Sequence, residues 1–290
     1  DLQPGTHRLT VRVDNPMIVN VGENAHSVSD HTQSNWNGIT GDIELTATDP
    51  VWLDDVQAYP DVSNKSVRVQ IGISNATDER ARGRLRLRIE LVGDAGPPAR
   101  SKGTDFSVAP DGGTVEVDCP LGQDTRSWDE FHPDLYRLNV EMEASGGGGE
   151  FSDTKSIIFG LRDFGVEGTQ FTLNGQKTFL RGTLECCIFP RTGYPPTDIA
   201  SWERVIQICQ DHGLNHMRFH SWCPPEAAFV AADRLGFYLH VECAAWARIG
   251  DGEPIDRWIR AEGDRILREY GNHPSFVMLG YGNEPHGPNR

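Results

Sequence analysis

At about residue 165 the hydrophobic pattern of the chain changes its period, and such a change separates two fold classes within one polypeptide. Upstream the period is two. SVRVQIGISN (66–75) and GRLRLRIELVG (83–93) alternate apolar with polar residues, and the turn-rich stretches GDAGPP and APDGG divide the segments. GTVEVDCPL (113–121), LYRLNVEMEA (135–144) and GGGGEFSDTKSIIFG (146–160) continue the series, with SGGGG (145–149) as a flexible hairpin loop. Short antiparallel strands repeated over this length predict an immunoglobulin-like sandwich at about 50–161. Residues 1–49 contain two further candidate strands, HRLTVRVDN (7–15) and GDIELTATD (41–49), joined by a loop carrying NWNGI. Two strands are too few to bury a core and read as the end of another β domain.

Downstream, strand and helix patterns alternate. The candidate strands are TFLRGTLEC (178–186), LNHMRFHSW (214–222), GFYLHVECA (236–244) and SFVMLGYGN (275–283). Between the first two, Ile199, Trp202, Val205, Ile206 and Cys209 share one helical face, with Asp198 as cap and Gly213 as stop. PPEAAFVAADRLG closes on Gly236, and IDRWIRAEGDRILREYG closes on Gly271. Regular βα alternation implies a parallel sheet, either open and doubly wound or closed into a barrel. No Gly-rich phosphate loop follows any of these strands, which weakens a nucleotide-binding open sheet.

Composition narrows the partners. The chain carries 27 basic against 42 acidic residues, a net charge of −15, and has no basic stripe, so it would repel a phosphate backbone and nucleic acid is excluded. No apolar run approaches the ~18–20 residues of a membrane helix, so no membrane partner is expected. The first residues, DLQPGTHRLTVRVDN, lack a methionine and any signal-peptide pattern; they read as cut from a longer protein, and localisation is not legible. Six cysteines, five of them after residue 185, follow no disulfide spacing and read as buried free thiols. A zinc site drawn from His220, Cys223 and the adjacent Cys186 and Cys187 is disfavoured, because neighbouring cysteines fit one tetrahedral ion poorly; no metal and no other cofactor is expected.

The predicted strand ends are polar. Glu185 ends the first, Arg218, His220 and Trp222 lie on the second, Glu242 ends the third, and Asn283 and Glu284 end the fourth. Chemistry in barrels is mounted at the carboxyl ends of strands. Two carboxylates facing one cavity with an Arg, a His and aromatic rings form a recurrent sugar-cleaving arrangement, one carboxyl protonating the leaving oxygen while another attacks or activates water. Trp222 and Trp246 could offer platforms to a pyranose face, although core packing is the commoner role for each taken alone.

LNGQKTFLRGT, GLNHMRFHSW, AADRLGFYLHVE and NHPSFVMLGYGNE resemble the successive barrel signatures of glycoside hydrolase family 2, the exo-acting β-galactosidases, β-glucuronidases and β-mannosidases. WDEFHPDLYRLNV and GLRDF are similar to the stretches that lead from its immunoglobulin-like domain into its barrel, and NWNGITGDIEL to the end of its jelly-roll domain. The resemblance implies a multidomain β plus α/β chain: the end of a jelly roll (1–49), an immunoglobulin-like sandwich (50–161) and the first half of a (β/α)8 TIM barrel (162–290). It implies a retaining exo-β-glycosidase, β-galactosidase-like, with β-glucuronidase or β-mannosidase as alternatives, acting on a carbohydrate. Glu284 matches the family's general acid/base, Asn283 its donor to the sugar 2-hydroxyl, Arg218 the arginine that buttresses the nucleophile and His220 the histidine after it. Trp222, Glu242 and Glu185 join them as substrate-binding candidates. The first strand departs from the family pattern, reading RGTLECCIFPRTGYPP where a histidine is usual. The family nucleophile ends the seventh strand, beyond Arg290, so the 290 residues alone are expected to be inactive. Their fourth strand, left with an apolar edge, is expected to invite homo-oligomers. Two other classes stay open: a non-catalytic carbohydrate-binding or scaffold protein, and a metal-dependent barrel hydrolase using the Cys/His cluster.

Overall fold

The computed structural model describes every residue except 1–4, 15, 33–37, 40, 42, 94–97 and 289–290, so much of the NWNGI loop and of the GDAGPP turn lies outside the described residues. The strands that alternation predicts at 7–15 and 41–49 do not form among them. Leu9, Val11, Val13, Ile43 and Leu45 are all exposed, and an alternating segment with no neighbouring strand has neither a ladder nor a face to bury.

From residue 51 the chain is mostly β-sheet with three helices. The strands β1 (Val51–Asp61), β2 (Ser66–Asn75), β3 (Ala81–Leu91), β4 (Arg100–Val108), β5 (Gly113–Pro120), β6 (Tyr136–Gly146) and β7 (Gly149–Phe159) form two antiparallel sheets, ordered β1-β2-β5 and β4-β3-β6-β7. This is an immunoglobulin-like sandwich whose inward residues alternate with outward ones, as in β6, where Tyr136, Leu138, Val140, Met142 and Ala144 are buried. The predicted glycine hairpin is present. Gly146 pairs with Gly149, and Gly147 and Gly148 between them have φ of 56° and 77°, values that favour glycine in a two-residue turn. Tyr136 at the start of β6 bonds back to the backbone of Arg126, through N–H at 2.8 Å and C=O at 3.2 Å, in the manner of a tyrosine corner.

A short antiparallel meander follows, made of β8 (Phe164–Glu167), β9 (Gln170–Leu173) and β10 (Gln176–Thr178). The first predicted βα strand is therefore divided: Thr178 closes the meander, and β11 begins at Gly182. From there β11 (Gly182–Glu185), α1 (Ile199–Asp211), β12 (His216–Phe219), α2 (Glu226–Leu235), β13 (Tyr238–Glu242), α3 (Pro254–Tyr270) and β14 (Phe276–Gly280) alternate, and the four strands form one parallel sheet in chain order. The Asp198 side chain caps α1 by accepting from the Ser201 N–H at 2.8 Å, and Trp202 and Ile206 bury its inner face. Gly236 closes α2 in the left-handed region, whereas Gly271 ends α3 with φ of −63°.

The two faces of this sheet differ. Met217, Phe219, Leu239 and Val241 point into a core shared with the helices. The alternate residues Arg218 and His240 lie beside each other in register on the other face and are only part-buried. Its sequence thus alternates, where a sheet covered on both sides would read as uninterrupted apolar runs. β14 ends at Gly280, so Asn283 and Glu284 stand in the loop beyond it.

Backbone-capping side chains fix the sandwich to the sheet. The Trp128 indole donates to the Asp233 carbonyl at 2.8 Å, Arg162 donates to the carbonyls of Pro274 and Phe276 on either side of the start of β14, and Asn272 bridges Val56 and Ala58 of β1.

His216 belongs to the polar alternation yet is buried, its Nε2 has no partner, and a Cβ on Gly182 would lie 2.5 Å from its Nδ1, so glycine makes room for the ring. Burial, then the neighbouring His240 and Arg218, lower its pKa to about 4. A folded-state pKa below the unfolded value means that the unfolded chain binds the proton first, so this stability is present above pH 6.5 and is lost as pH falls toward 4. Between pH 7 and pH 4 the native protein should lose roughly 3 kcal/mol more than a His216→Phe variant, measured by urea unfolding at each pH.

Candidate active site

The part-buried face of the parallel sheet ends in a hydrogen-bonded cluster. Arg218 of β12 donates from Nε to Glu242 Oε1 at 2.7 Å and from Nη2 to the same oxygen at 2.5 Å, while Nη2 also reaches Asn283 Oδ1 at 2.8 Å. Glu242 Oε2 accepts from the Ser221 N–H at 2.6 Å. Glu242 is only 2% exposed, so donors from the guanidinium and the backbone replace the water it has lost. Three of the strand-end residues singled out in the sequence, Arg218, Glu242 and Asn283, are thus brought into contact.

Asn283 is positioned by the chain as well as by Arg218. Its N–H donates to Ala245 C=O at 2.9 Å, its side chain is buried, and its Nδ2 has no partner. A buried amide nitrogen with both hydrogens unspent is a donor reserved for a ligand or a water. Glu284 follows it, exposed, with a φ of 43° that places a non-glycine residue in the left-handed region.

His220 stands just past β12. Its N–H donates to Glu185 C=O at 2.9 Å, and its Nδ1 lies 3.1 Å from Nδ1 of His26. Burial lowers its pKa, against the opposing pull of Glu242 and Glu284, so the ring is neutral at neutral pH. Burial also lowers that of His26, assisted by His220. Trp246 packs against both rings, with centroids 6.4 Å from His26 and 5.1 Å from His220.

Two candidates stand outside the cluster. Glu185 folds back to accept from the N–H groups of Cys187 (2.9 Å) and Ile188 (3.4 Å), and burial raises its pKa in spite of those bonds. Trp222 is 1% exposed, packs edge-on to Phe189 and Phe219, and donates to Glu185 C=O at 3.3 Å. A ring without a free face offers no platform to a sugar, and Trp246, part-exposed, is the one of the pair that remains available.

His26 and Ser221 were invisible to the sequence reading. His26 donates from N–H to Ser221 Oγ at 3.0 Å, with its Nδ1 2.9 Å from the same oxygen, across 195 positions. The segment that carries it docks on the loop after β13: Trp246 N–H donates to Val21 C=O at 2.7 Å, and a Cβ at Gly22 would fall 1.8 Å from Trp246 O. The spacing of GENAHSV follows neither helical nor strand period. The one signal available was Gly22 itself. Between this segment and the loop lies a cleft of about 690 Å³ lined by Asn20, Glu23, Asn24, Trp246, Arg248 and His286, and the Trp246 ring on its wall packs against His26 and His220.

The sandwich, residues 51–162, matches the profile of glycosyl hydrolases family 2. A β-galactosidase of Thermoanaerobacterium thermosulfurigenes is 29% identical over 159 residues, covering 54% of this chain and 21% of that protein. A putative β-glucuronidase of Formosa agariphila is 23% identical over 98% of this chain and 33% of its own length. The match over the sandwich and the relatives along the rest of the chain support membership of glycosyl hydrolase family 2. Its fold agrees with that of Bacteroides uniformis β-glucuronidase 2, solved covalently bound to cyclophellitol-6-carboxylate aziridine, at a TM-score of 0.71 and 21% identity over 94% of this chain and 33% of that one. The chain spans between 21% and 44% of the first curated relatives' length.

Glu242 is buried against the part-exposed Arg218 guanidinium, and removing one leaves the other charge uncompensated. Glu242→Ala should lower unfolding stability by roughly 3 kcal/mol, toward the lower end for a broken buried pair because the Arg218 side chain is 34% exposed. Glu242→Leu combined with Arg218→Met should recover much of that loss in the same urea titration.

Proposed function

We propose that this chain carries the acid/base side of a retaining exo-β-glycosidase that releases a terminal β-linked sugar of the galactose or glucuronic acid type. The observation that carries the reading is the Arg218–Glu242–Asn283 cluster with Glu284 beside it, mounted where four consecutive parallel strands end. Four βα strands in chain order are what the first half of a (β/α)8 barrel requires, and residues 162–290 are assigned to it. Residues 1–49 are assigned to the family's preceding β domain, whose tail supplies His26 to the site. The sugar type follows the relatives, which include a β-galactosidase and a putative β-glucuronidase.

In this reading Glu284 protonates the glycosidic oxygen and then activates water. Its exposure suits a group that must meet a substrate. The free Nδ2 of Asn283 donates to a ring hydroxyl, and Arg218 holds the Asn283 carbonyl so that this donor points outward. Glu242 has its oxygens spent on Arg218 and Ser221, which makes it a positioning residue rather than a nucleophile. The nucleophile then comes from outside these four strands, placed roughly 5–5.5 Å from Glu284 across the sugar.

The test uses the full-length protein. Glu284→Gln should cost roughly 10²–10⁴-fold on glycosides with alkyl or sugar leaving groups and far less on dinitrophenyl glycosides, with azide restoring turnover as the β-glycosyl azide. Equal losses on both aglycones without an azide product would remove Glu284 from this role. Running nitrophenyl β-galactoside and β-glucuronide side by side decides between the two sugars. Residues 1–290 expressed alone should not turn over either substrate, and turnover abolished by Glu284→Gln would show instead that this half suffices.

A further inference from the structure

The structure assigns a cation site that the glycosidase reading of Glu284 does not call for: we propose that His26, Cys186 and His220 bind one zinc ion beside the Arg218 cluster. The three come from separate places, the segment before the sandwich, the residue after β11 and the residue after β12, and their ligand atoms lie within 4.8 Å of one another. Among the described residues no other trio of His, Cys, Asp or Glu side chains comes so close together.

The geometry is nearly made. Two nitrogens bound to zinc at ~2.0–2.1 Å in a tetrahedral arrangement stand roughly 3.3–3.4 Å apart, and the Nδ1 atoms of His26 and His220 are 3.1 Å apart. Without an ion, only one hydrogen can sit between these two nitrogens; an ion takes its place and both lone pairs turn to it. The rings have little freedom to turn aside. They meet edge-on with centroids 4.8 Å apart, Trp246 packs against both, and the Ser221 hydroxyl lies 2.9 Å from the same His26 Nδ1, a contact that an ion bound there replaces. Cys186 is part-exposed, so an ion reaches it from solvent. Cys187 and Cys223, weighed with it in the sequence, are placed elsewhere: the first is wholly buried in the helix-side core, and the second packs against that core with Sγ at 3.6 Å from Pro224 C=O.

Two imidazoles and a thiolate form a borderline-soft donor set that suits zinc and rejects magnesium and calcium, which take oxygen ligands. Binding displaces the thiol proton to solvent and leaves the fourth position to water. A bound ion withdraws His220 from any other partner, so zinc occupancy and sugar occupancy of this site compete.

The experiment is cobalt substitution in the full-length protein stripped with chelator. One equivalent of cobalt should produce tetrahedral visible bands and a thiolate-to-cobalt charge-transfer band, displaced by one equivalent of zinc. Cys186→Ser should abolish the charge-transfer band, Cys209→Ser should leave it intact, and His26→Ala should weaken zinc by at least about 100-fold. X-ray absorption of the zinc-loaded native protein should show one sulfur and two imidazole neighbours, a readout that needs no variant to fold. Absence of the charge-transfer band, its survival in Cys186→Ser, or a zinc shell without sulfur each overturns the proposal. None of these measurements uses glycosidase activity, so the site and the functional reading fail independently.

Discussion

Glu242 is a carboxylate taken almost wholly out of water at the end of β13, and the arrangement of the site follows from what that burial requires. Its oxygens must be matched by donors, and the donors come from Arg218 on the neighbouring strand and from the backbone of Ser221. Once the guanidinium is committed to Glu242, its remaining reach fixes the carbonyl end of Asn283 and so determines which end of that amide is left over. The Ser221 N–H is available because the chain turns sharply there, with φ of 54°, and the same turn presents the Ser221 hydroxyl to His26. One desolvated charge thus sets the rotamers of groups on three strand ends and on a segment nearly two hundred positions away.

Much of this was legible in the sequence. The strand pattern marked five of the seven sandwich strands, and β2 falls at Ser66–Asn75, where the pattern placed it. It passed over β1 and β4, the second because RSKGTDFSV buries only Phe106 and Val108 and its polar residues outnumber the signal. The helices were marked by Trp202 and Ile206 at a spacing of four, by the Asp198 cap and by the glycines that follow α1 and α2. The strand-end polar residues were found because they interrupt apolar runs, which is a local signal. His26 was not, since what holds it is a set of contacts between segments with no shared period, and no local pattern encodes them. Trp222 misled for the opposite reason: a tryptophan beside an Arg and a His reads as part of a site, while its burial is decided by Phe189 and Phe219, one of them distant in sequence.

The sandwich does more than precede the sheet. Its Trp128 is entirely buried against Tyr238 of β13, while Arg162, drawn out of water, spends its guanidinium on backbone carbonyls at the start of β14. Asp233 accepts from His273 at 2.5 Å and from the Ser275 N–H at 3.0 Å, so the turn into β14 is held from the helix side as well. The strand that delivers Asn283 and Glu284 is therefore anchored at its start by buried polar contacts and just beyond its end by the bonds of Asn283 to Ala245 and Arg218, the rigidity that a site mounted beyond a strand requires.

Glu284 keeps its left-handed backbone although every side chain but glycine's is disfavoured there, at a cost on the order of 1–2 kcal/mol. The conformation is held against the preference of a residue that precedes proline for extended backbone, with the Asn283 N–H on Ala245 C=O anchoring the chain on its N-terminal side. A chain under selection for stability alone would place glycine or asparagine at this position. A glutamate found there is a residue kept against its own preference, so any screen of this protein for heat tolerance will tend to recover changes at position 284, and those changes will remove its one exposed carboxylate at the mouth of the cluster.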